Sequence, residues 1–389
     1  MPQVAKSSQF SLDAEQRDRA RAVRQLALTE LIGVAGQGRP GAVNRDLVKA
    51  LGSHGLLRSL YGEVVDGLPT GAAALDLCLL RETLAAVSTE AETALALQGL
   101  GSYPILLAGS EAQRRRWLPA VIAGDGVAAF ALSEPQAGTD AAALQLRAEP
   151  DGDGWLLHGE KMWISNAPEA DVYSVFARTT PDAGAKGITG FIVAGDAAGL
   201  TGEPLELLAP HAIGTLAFDG VRVGRDDLLG DVDAGFAVAM RTLDAFRPSV
   251  GAFAVGMAQA ALDAAIDHVR NRQAFGGPLS AQQSVQHTLA EMATRTEASR
   301  LLVYAAAAAY DRGAEPAEIT RRSAMAKLYA TENAQWVIDQ AVQLHGARAL
   351  QHGHLLEHLY REVRAVRIYE GASEIQRTII GRSLIRTGH

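Results

Sequence analysis

The sequence predicts an α+β protein in three parts: a helical domain over residues 1–123, a small β-barrel domain over 124–232 and a helical bundle over 233–389. Three observations carry this expectation. Apolar residues recur at helical spacing near both ends of the chain. The middle stretch holds short apolar runs separated by turn formers. A length of 389 residues exceeds what one core uses, so two or three domains are expected. Hydrophobic residues make up 48% and charged residues 21% of the chain, which is the balance of a folded globular protein rather than a disordered one.

In the first part, Arg21–Ile32 and Leu75–Leu97 repeat apolar residues at helical spacing, with breaks expected at Gly36–Pro40 and Tyr103–Pro104. Asp13 or Ser11 is placed to cap the first helix, and Glu15, Arg17 and Arg19 form its solvated stripe. In the middle part the candidate strands are Val127–Leu132, Trp155–His158, Met162–Ser165, Val172–Ala177, Ile188–Val193 and Leu216–Val223. Asp151-Gly-Asp-Gly154 is a hairpin signal, since Gly and Asp tolerate positive φ. Several short strands with turns between them point to a small barrel or sandwich. Gly230–Gly235 reads as a linker. Beyond it, Phe236–Asp267, Ser284–Arg312, Pro316–His345 and Leu355–Tyr369 read as long amphipathic helices, and Ala305–Ala309 is strongly helix-favouring.

The formal charge of −8 argues against nucleic acid as a partner, because phosphate backbones need a concentrated basic face. A polyanion such as coenzyme A remains open, held by a few local cations. The single cysteine, Cys78, excludes an intramolecular disulfide and a thiolate cluster, and no metal site is expected. The N-terminus turns charged at once and does not read as a signal peptide. No run of about 18 apolar residues is evident, so no membrane span is expected and a cytoplasmic setting is the default.

Five segments, in order, resemble the acyl-CoA dehydrogenase family: Ala131-Leu-Ser-Glu-Pro-Gln-Ala-Gly-Thr-Asp140, Gly159-Glu-Lys-Met-Trp-Ile-Ser-Asn166, Asp244-Ala-Phe-Arg-Pro248, Arg272-Gln-Ala-Phe-Gly276 and Ile368-Tyr-Glu-Gly-Ala-Ser-Glu-Ile-Gln-Arg377. The resemblance runs from about Leu51 to Arg386, and the family's helical, β-barrel, helical fold agrees with the pattern. It implies bound FAD. Phe130, Leu132, Ser133, Trp163 and Ser165 are implied to lie at the flavin ring, with the Ser165 hydroxyl near N5. Arg272 is implied to contact the FAD pyrophosphate of a neighbouring subunit, where its planar fork suits phosphate oxygens. Phe275, Gln283, Gln343, Gly346 and Ala347 are further cofactor positions, as are Ala372, which stands where a hydroxyl residue is usual, and Glu374. The family's Gly-Gly-x-Gly reads Gly346-Ala-Arg-Ala349 here, which removes two residues free to take positive φ. Thr139, Asp244, Arg247, Tyr369 and Gly371 are implied substrate positions. A homo-oligomer, typically a tetramer, and an electron-transferring flavoprotein as partner also follow from the resemblance.

Taken singly, each segment has a plainer reading. Ser133–Asp140 is a turn by composition, Trp163 suits core packing, and Arg272 is a solvated helix cap. Asp244 and Arg247 are a helix charge pair at spacing three.

Removing two hydrogens across Cα–Cβ of a thioester needs a base for the α-proton and an acceptor for the β-hydride, and no ordinary side chain accepts hydride. The resemblance assigns the base to Glu370 of Tyr-Glu-Gly, with Gly371 permitting a tight turn and Ile368 and Ile375 as apolar walls. Some relatives carry the base at the position of Phe246, which cannot take a proton. Glu374 is a second choice on the following helix. The backbone N–H of the base and a ribityl hydroxyl of FAD are implied to polarise the acyl carbonyl. Three other readings stay open: a flavin oxidase or monooxygenase on the same scaffold, a non-catalytic binding subunit, and a dehydrogenase of carrier-protein thioesters. Pro210-His-Ala-Ile-Gly-Thr215, where the family has Gly-x-Arg-x-Ser, bears on the last.

Overall fold

The computed structural model describes residues 12–62, 64–65, 68–69, 71 and 73–387. The chain packs as two compact units rather than as consecutive stretches. One comprises Met1–Glu30, Ala73–Glu92 and Asp244–His389; the other comprises Leu31–Ala72 and Thr93–Leu243.

The first unit is helical. Its opening helix, Ala14–Leu26, starts where the sequence places a cap. The Asp13 side chain accepts the Gln16 N–H at 2.8 Å while Gln16 reaches back to the Asp13 N–H, a reciprocal capping box. Ser11, the alternative cap, lies outside the described residues. The unit's core lies among Ala74–Ala85, the later part of Gly235–Asn271, Gln283–Asp311, Pro316–His345 and Leu355–Ala365. Val250, Phe253, Met257, Val303, Val337 and Leu359 are all buried there.

The second unit holds an eight-stranded sheet. From one edge the strands run Leu228–Leu229, Ile188–Ala194, Val172–Arg178, Arg147–Asp151, Gly154–Ser165, Ile213–Val223 and Leu200–Thr201, with Ala128–Ala131 parallel to Val172–Arg178. The central β domain is therefore present, but its hydrogen-bonded path is open, because the two end strands share no ladder among the described residues. Alternation decides the inner face: Leu216, Phe218, Val221 and Val223 are buried while Ala217, Asp219 and Arg222 are exposed. Asp151-Gly-Asp-Gly154 makes the expected hairpin, with Asp151 opposite Gly154 and Gly152 at φ 61°.

Several boundaries differ from expectation. Trp155–His158 and Met162–Ser165 are one strand, Gly154–Ser165, interrupted by register shifts rather than by a turn. Arg147–Asp151, its hairpin partner, carries no apolar strand signal in the sequence, and only Ala148 of its five residues is buried. No break occurs at Tyr103–Pro104: the helix Thr89–Ala108 runs through Pro104. Ile105 and Leu106 are buried, and roughly 1.5–3 kcal/mol for each such side chain outweighs the about 3 kcal/mol a helical proline costs. The break falls instead at Ala86–Ser88, where the Ser88 hydroxyl accepts the Ala91 N–H at 3.2 Å. The run expected as Leu355–Tyr369 ends its helix at Ala365. Among the described residues, Gly235–Asn271 is long and apolar enough to cross a membrane, but 78% of its apolar window is buried inside the protein, as in a core helix.

Candidate active site

In the sheet unit the strand Ala128–Ala131 runs out into the turn at Leu132–Asp140, and one buried ion pair anchors that turn. Lys161 is 0% and Glu134 4% exposed. Lys161 Nζ donates to Glu134 Oε1 at 2.8 Å and to the Leu132 carbonyl at 3.0 Å. The Glu134 carboxylate also accepts the backbone N–H groups of Gln145 and Leu146. Burial pushes the Lys161 ammonium down to about 8, against the pull of Glu134.

Two residues further along the strand, the register shift places Met162 and Trp163 opposite the single residue Thr215. This is a bulge, which re-aims the bulged side chain. Trp163 takes φ 58° and its indole is 44% exposed, although a tryptophan on a strand ordinarily packs inward. The Met162 N–H donates to the Ser133 carbonyl at 3.0 Å, joining the bulge to the turn. Leu132 is buried, Ser133, Ser165 and Phe130 are half-buried, and Thr139 is exposed. Phe130 packs its ring against Phe176 at 5.1 Å.

In the helical unit Glu370 occupies the loop between Leu355–Ala365 and Ser373–Thr387. Glu370 and Gly371 are consecutive left-handed residues, with φ 51° and 92°. Gln376 Nε2 donates to the Gly371 carbonyl at 2.8 Å and to the Glu370 carbonyl at 3.2 Å. The left-handed φ of 92° calls for glycine at position 371, and a Cβ there would also displace the end of the Gln376 side chain, whose Nε2 would lie 2.6 Å away. The residue Glu370 is half-buried as a whole, but its Oε2 is closed off from solvent and has no hydrogen-bond partner. Burial holds its carboxyl above the usual range, and the Arg81, Lys327 and Arg247 cations offset this only in part.

Those cations have their own settings. Arg81 is buried in an ion pair with Glu92, and its Nη1 donates to Ser249 Oγ at 2.6 Å. Arg247, 6% exposed, pairs with Asp244, which also accepts from Thr320 Oγ1 at 3.2 Å. Burial raises the Asp244 carboxyl despite Arg247. The Asp244–Arg247 pair at spacing three is therefore present, and it is an inward one. Lys327 Nζ donates to the Gly371 carbonyl at 2.8 Å. Phe246 is buried.

Other expected residues fall elsewhere. Glu374 is exposed and pairs with Arg377 on its own helix, so its carboxylate lacks the shielded setting of Glu370 Oε2. Ile368 is 57% exposed and forms no apolar wall, because the helix has ended at Ala365 and the turn carries Ile368 outward. Ile375 and Ala372 are half-buried, and Tyr369 is 37% exposed.

The positions implied for the cofactor phosphates lie on the same helical unit. Arg272 ends the helix Gly235–Asn271, and Phe275 stands at the tip of the ribbon Gln273–Ala274 with Gly277–Pro278, 90% exposed. Gln283, Gln343, Gly346 and Ala347 are exposed. Arg272, His268, Gln273, His345, Arg348 and His354 line an open cavity of about 840 Å³. Burial, with nearby cations, holds His268 and His345 below the ordinary histidine value. Gly346 takes φ 64°, whereas Ala347, Arg348 and Ala349 continue into a 3₁₀ turn at negative φ. The replaced glycines thus sit where no positive φ is required.

Each unit by itself presents groups that suit one part of FAD. Two guanidinium groups around an open cavity suit a diphosphate, and an exposed indole beside a half-buried hydroxyl suits the edge of a flat ring. Sequence reasoning missed Glu134, Lys161, Arg81, Glu92 and Lys327. Glu134 and Lys161 lie inside the quoted segments, and only their burial as a pair marks them.

Helical, β and helical segments follow one another along the chain, and a half-buried glutamate with a shielded Oε2 stands in the last loop. Family models for the N-terminal, middle and C-terminal domains of acyl-CoA dehydrogenase match residues 13–125, 129–221 and 233–385. The chain belongs to the acyl-CoA dehydrogenase family of flavoprotein oxidoreductases. It is 38% identical over 381 residues to a probable acyl-CoA dehydrogenase, FadE25, of Mycobacterium tuberculosis, covering 97% of both chains. Among solved structures it is similar to butyryl-CoA dehydrogenase from Megasphaera elsdenii, with TM-score 0.90 and 33% identity over 97% of this chain and 100% of that one. It is also similar to a glutaryl-CoA dehydrogenase from Mycobacterium smegmatis in complex with FADH2, with TM-score 0.86 and 29% identity over 97% and 96%.

Proposed function

We propose that this protein carries out the α,β-dehydrogenation of an acyl-CoA thioester to the trans-2-enoyl thioester, with Glu370 taking the α-proton. The observation that carries the proposal is the Glu370 carboxylate itself. Its Oε2 is shielded from water and has no hydrogen-bond donor, and its carboxyl is held above the ordinary range. A base in that state matches a weakly acidic carbon proton better than a hydrated carboxylate does.

When bound, FAD supplies the acceptor for the β-hydride. Phe130, Leu132, Ser133, Trp163 and Ser165 would hold the flavin ring. Arg272, Phe275, Gln283, Gln343, Gly346 and Ala347 hold the cofactor of a second copy in a homotetramer. Thr139, Asp244, Arg247, Tyr369 and Gly371 orient the thioester, and the Glu370 N–H polarises its carbonyl. An electron-transferring flavoprotein is the proposed acceptor of the electrons.

The test is an anaerobic titration of the purified protein with a series of acyl-CoA thioesters, following flavin absorbance. Bleaching by one chain-length class supports the proposal and identifies the substrate. Bound flavin that bleaches only with carrier-protein thioesters moves the substrate class. Rapid reoxidation in air of the reduced protein points to an oxidase, and protein purified without flavin points to a binding subunit.

A further inference from the structure

Lys327 lies in the middle of the helix Pro316–His345 and is 0% exposed. A lysine in such a place is rare, because an ammonium leaves water only at a high cost unless it finds partners. Lys327 Nζ makes its hydrogen bond to the Gly371 carbonyl, at 2.8 Å. That oxygen is held a second time by Gln376 Nε2, also at 2.8 Å. The clamp closes on the one place in the loop where two successive residues, Glu370 and Gly371, are left-handed. A non-glycine residue there costs about 1–2 kcal/mol and keeps that conformation only where its surroundings hold it.

Charge distinguishes Lys327 from the other cations near the base. Arg81 is matched by Glu92 and Arg247 by Asp244, each through a direct ion pair. Lys327 directs its ammonium to a neutral carbonyl instead. The groups acting on it are Glu370 from the loop, Arg247 from the helix Gly235–Asn271, Glu332 from its own helix and Glu374 from the last helix. Of these, Glu332 is engaged by Arg367 and Ser373, and Glu374 by Arg377. Glu370 is the largest of these electrostatic influences on Lys327.

We propose that Lys327 is a positioning residue for the base: its ammonium pins the Gly371 carbonyl, holds the Glu370–Gly371 turn in one conformation, and supplies positive charge that favours the carboxylate over the acid. This rests on the reading of Glu370 as the base. Lys327 itself touches neither substrate nor cofactor in this account; it acts through the loop. Burial pushes its ammonium down to about 8, so it still carries its charge at neutral pH.

The test uses the flavin-loaded full chain and the variants Lys327→Met, Lys327→Gln and Lys327→Arg. The rate of anaerobic flavin bleaching is measured against pH with whichever member of a butyryl- to palmitoyl-CoA series reduces the wild type. Met and Gln both remove the charge, and each is expected to move the acidic limb of the profile up by about one pH unit, with rates about tenfold lower on the acid side. Arg keeps the charge and is expected to return the limb toward the wild-type position. If Met prevents folding, Gln, which retains a donor for the Gly371 carbonyl, carries the test. An unmoved limb in a folded neutral variant overturns the electrostatic part. Independently of any substrate, hydrogen exchange of the backbone amides in residues 366–376 is expected to speed up several-fold in Lys327→Met. Unchanged protection there overturns the pinning. Glu370→Gln separates the two readings: if that variant still bleaches with a pH limb, the base reading fails, whatever the Lys327 variants show.

Discussion

Lys161 Nζ lies 2.8 Å from Glu134 Oε1 and 3.0 Å from the Leu132 carbonyl, with both residues buried. The pair joins a strand to the turn that carries the positions proposed for the flavin ring. Two further bonds to Glu134, from the Gln145 and Leu146 N–H groups, tie the turn to the segment that leads into the strand Arg147–Asp151.

Glu134→Ala is therefore expected to destabilise the protein by about 3–5 kcal/mol, because it leaves the Lys161 ammonium buried and unpaired. Thermal melting of Glu134→Ala, Lys161→Met and the double variant checks this. The double variant is expected to be less destabilised than the sum of the singles. Additive losses would show that the two charges act independently.

The Lys161 ammonium also sets a pH dependence of stability. Its folded value of about 8 lies below the ordinary lysine value of 10.5. Between those two values the unfolded chain binds more protons, so this group makes stability rise with pH across that window. Denaturant midpoints of the wild type and Lys161→Met from pH 7.5 to 10.5 are expected to diverge in slope; parallel curves would remove the assignment.

Glu370→Gln is expected to lower the rate of flavin bleaching by at least about 10²–10⁴-fold, the usual contribution of a positioned base, while leaving FAD bound. Stopped-flow absorbance gives the rate and the spectrum of the purified variant gives the occupancy. Retained activity would exclude Glu370 from the role.

The pH profile of the wild type follows from the same residue. A base works deprotonated, so the activity is present above the folded pKa of Glu370 and is lost as pH falls through it. Because burial raises that value, the loss is expected to begin at a higher pH than an ordinary glutamate, near 4.3, would give. Stability carries the opposite sign: the folded state binds this proton more readily, so ionising Glu370 lowers stability as pH rises between the ordinary and the raised value. A profile of kcat/KM against pH locates the limb, and a limb at the ordinary glutamate position would contradict the burial argument.

Arg272→Ala is expected to release FAD on dialysis, seen as a fall in flavin absorbance relative to protein. Arg272 is exposed and lies at a helix end beside the cavity that also holds Arg348. Unchanged occupancy would leave the diphosphate to other residues.

The order of helical, β and helical segments was legible in the sequence because it depends on periodicity, which is local. Asp13 as a cap, the Asp151–Gly154 hairpin and the helix Pro316–His345 were legible for the same reason. The motif residues Glu370, Trp163 and Arg272 stood out by resemblance, and their surroundings did not. Whether Pro104 breaks a helix depends on how deeply Ile105 and Leu106 are buried, which no local pattern states. Whether Trp163 turns inward or outward depends on a one-residue slip against Thr215, a partner about fifty positions along the chain. The sequence by itself determined which residue types were available for chemistry and which elements carry them. Only the tertiary structure decided which charges lose water together. That choice made Glu134 and Lys161 a pair, left Glu370 Oε2 without a donor and put Lys327 against Gly371, because desolvation depends on what packs around a group in space and not on its neighbours in the chain.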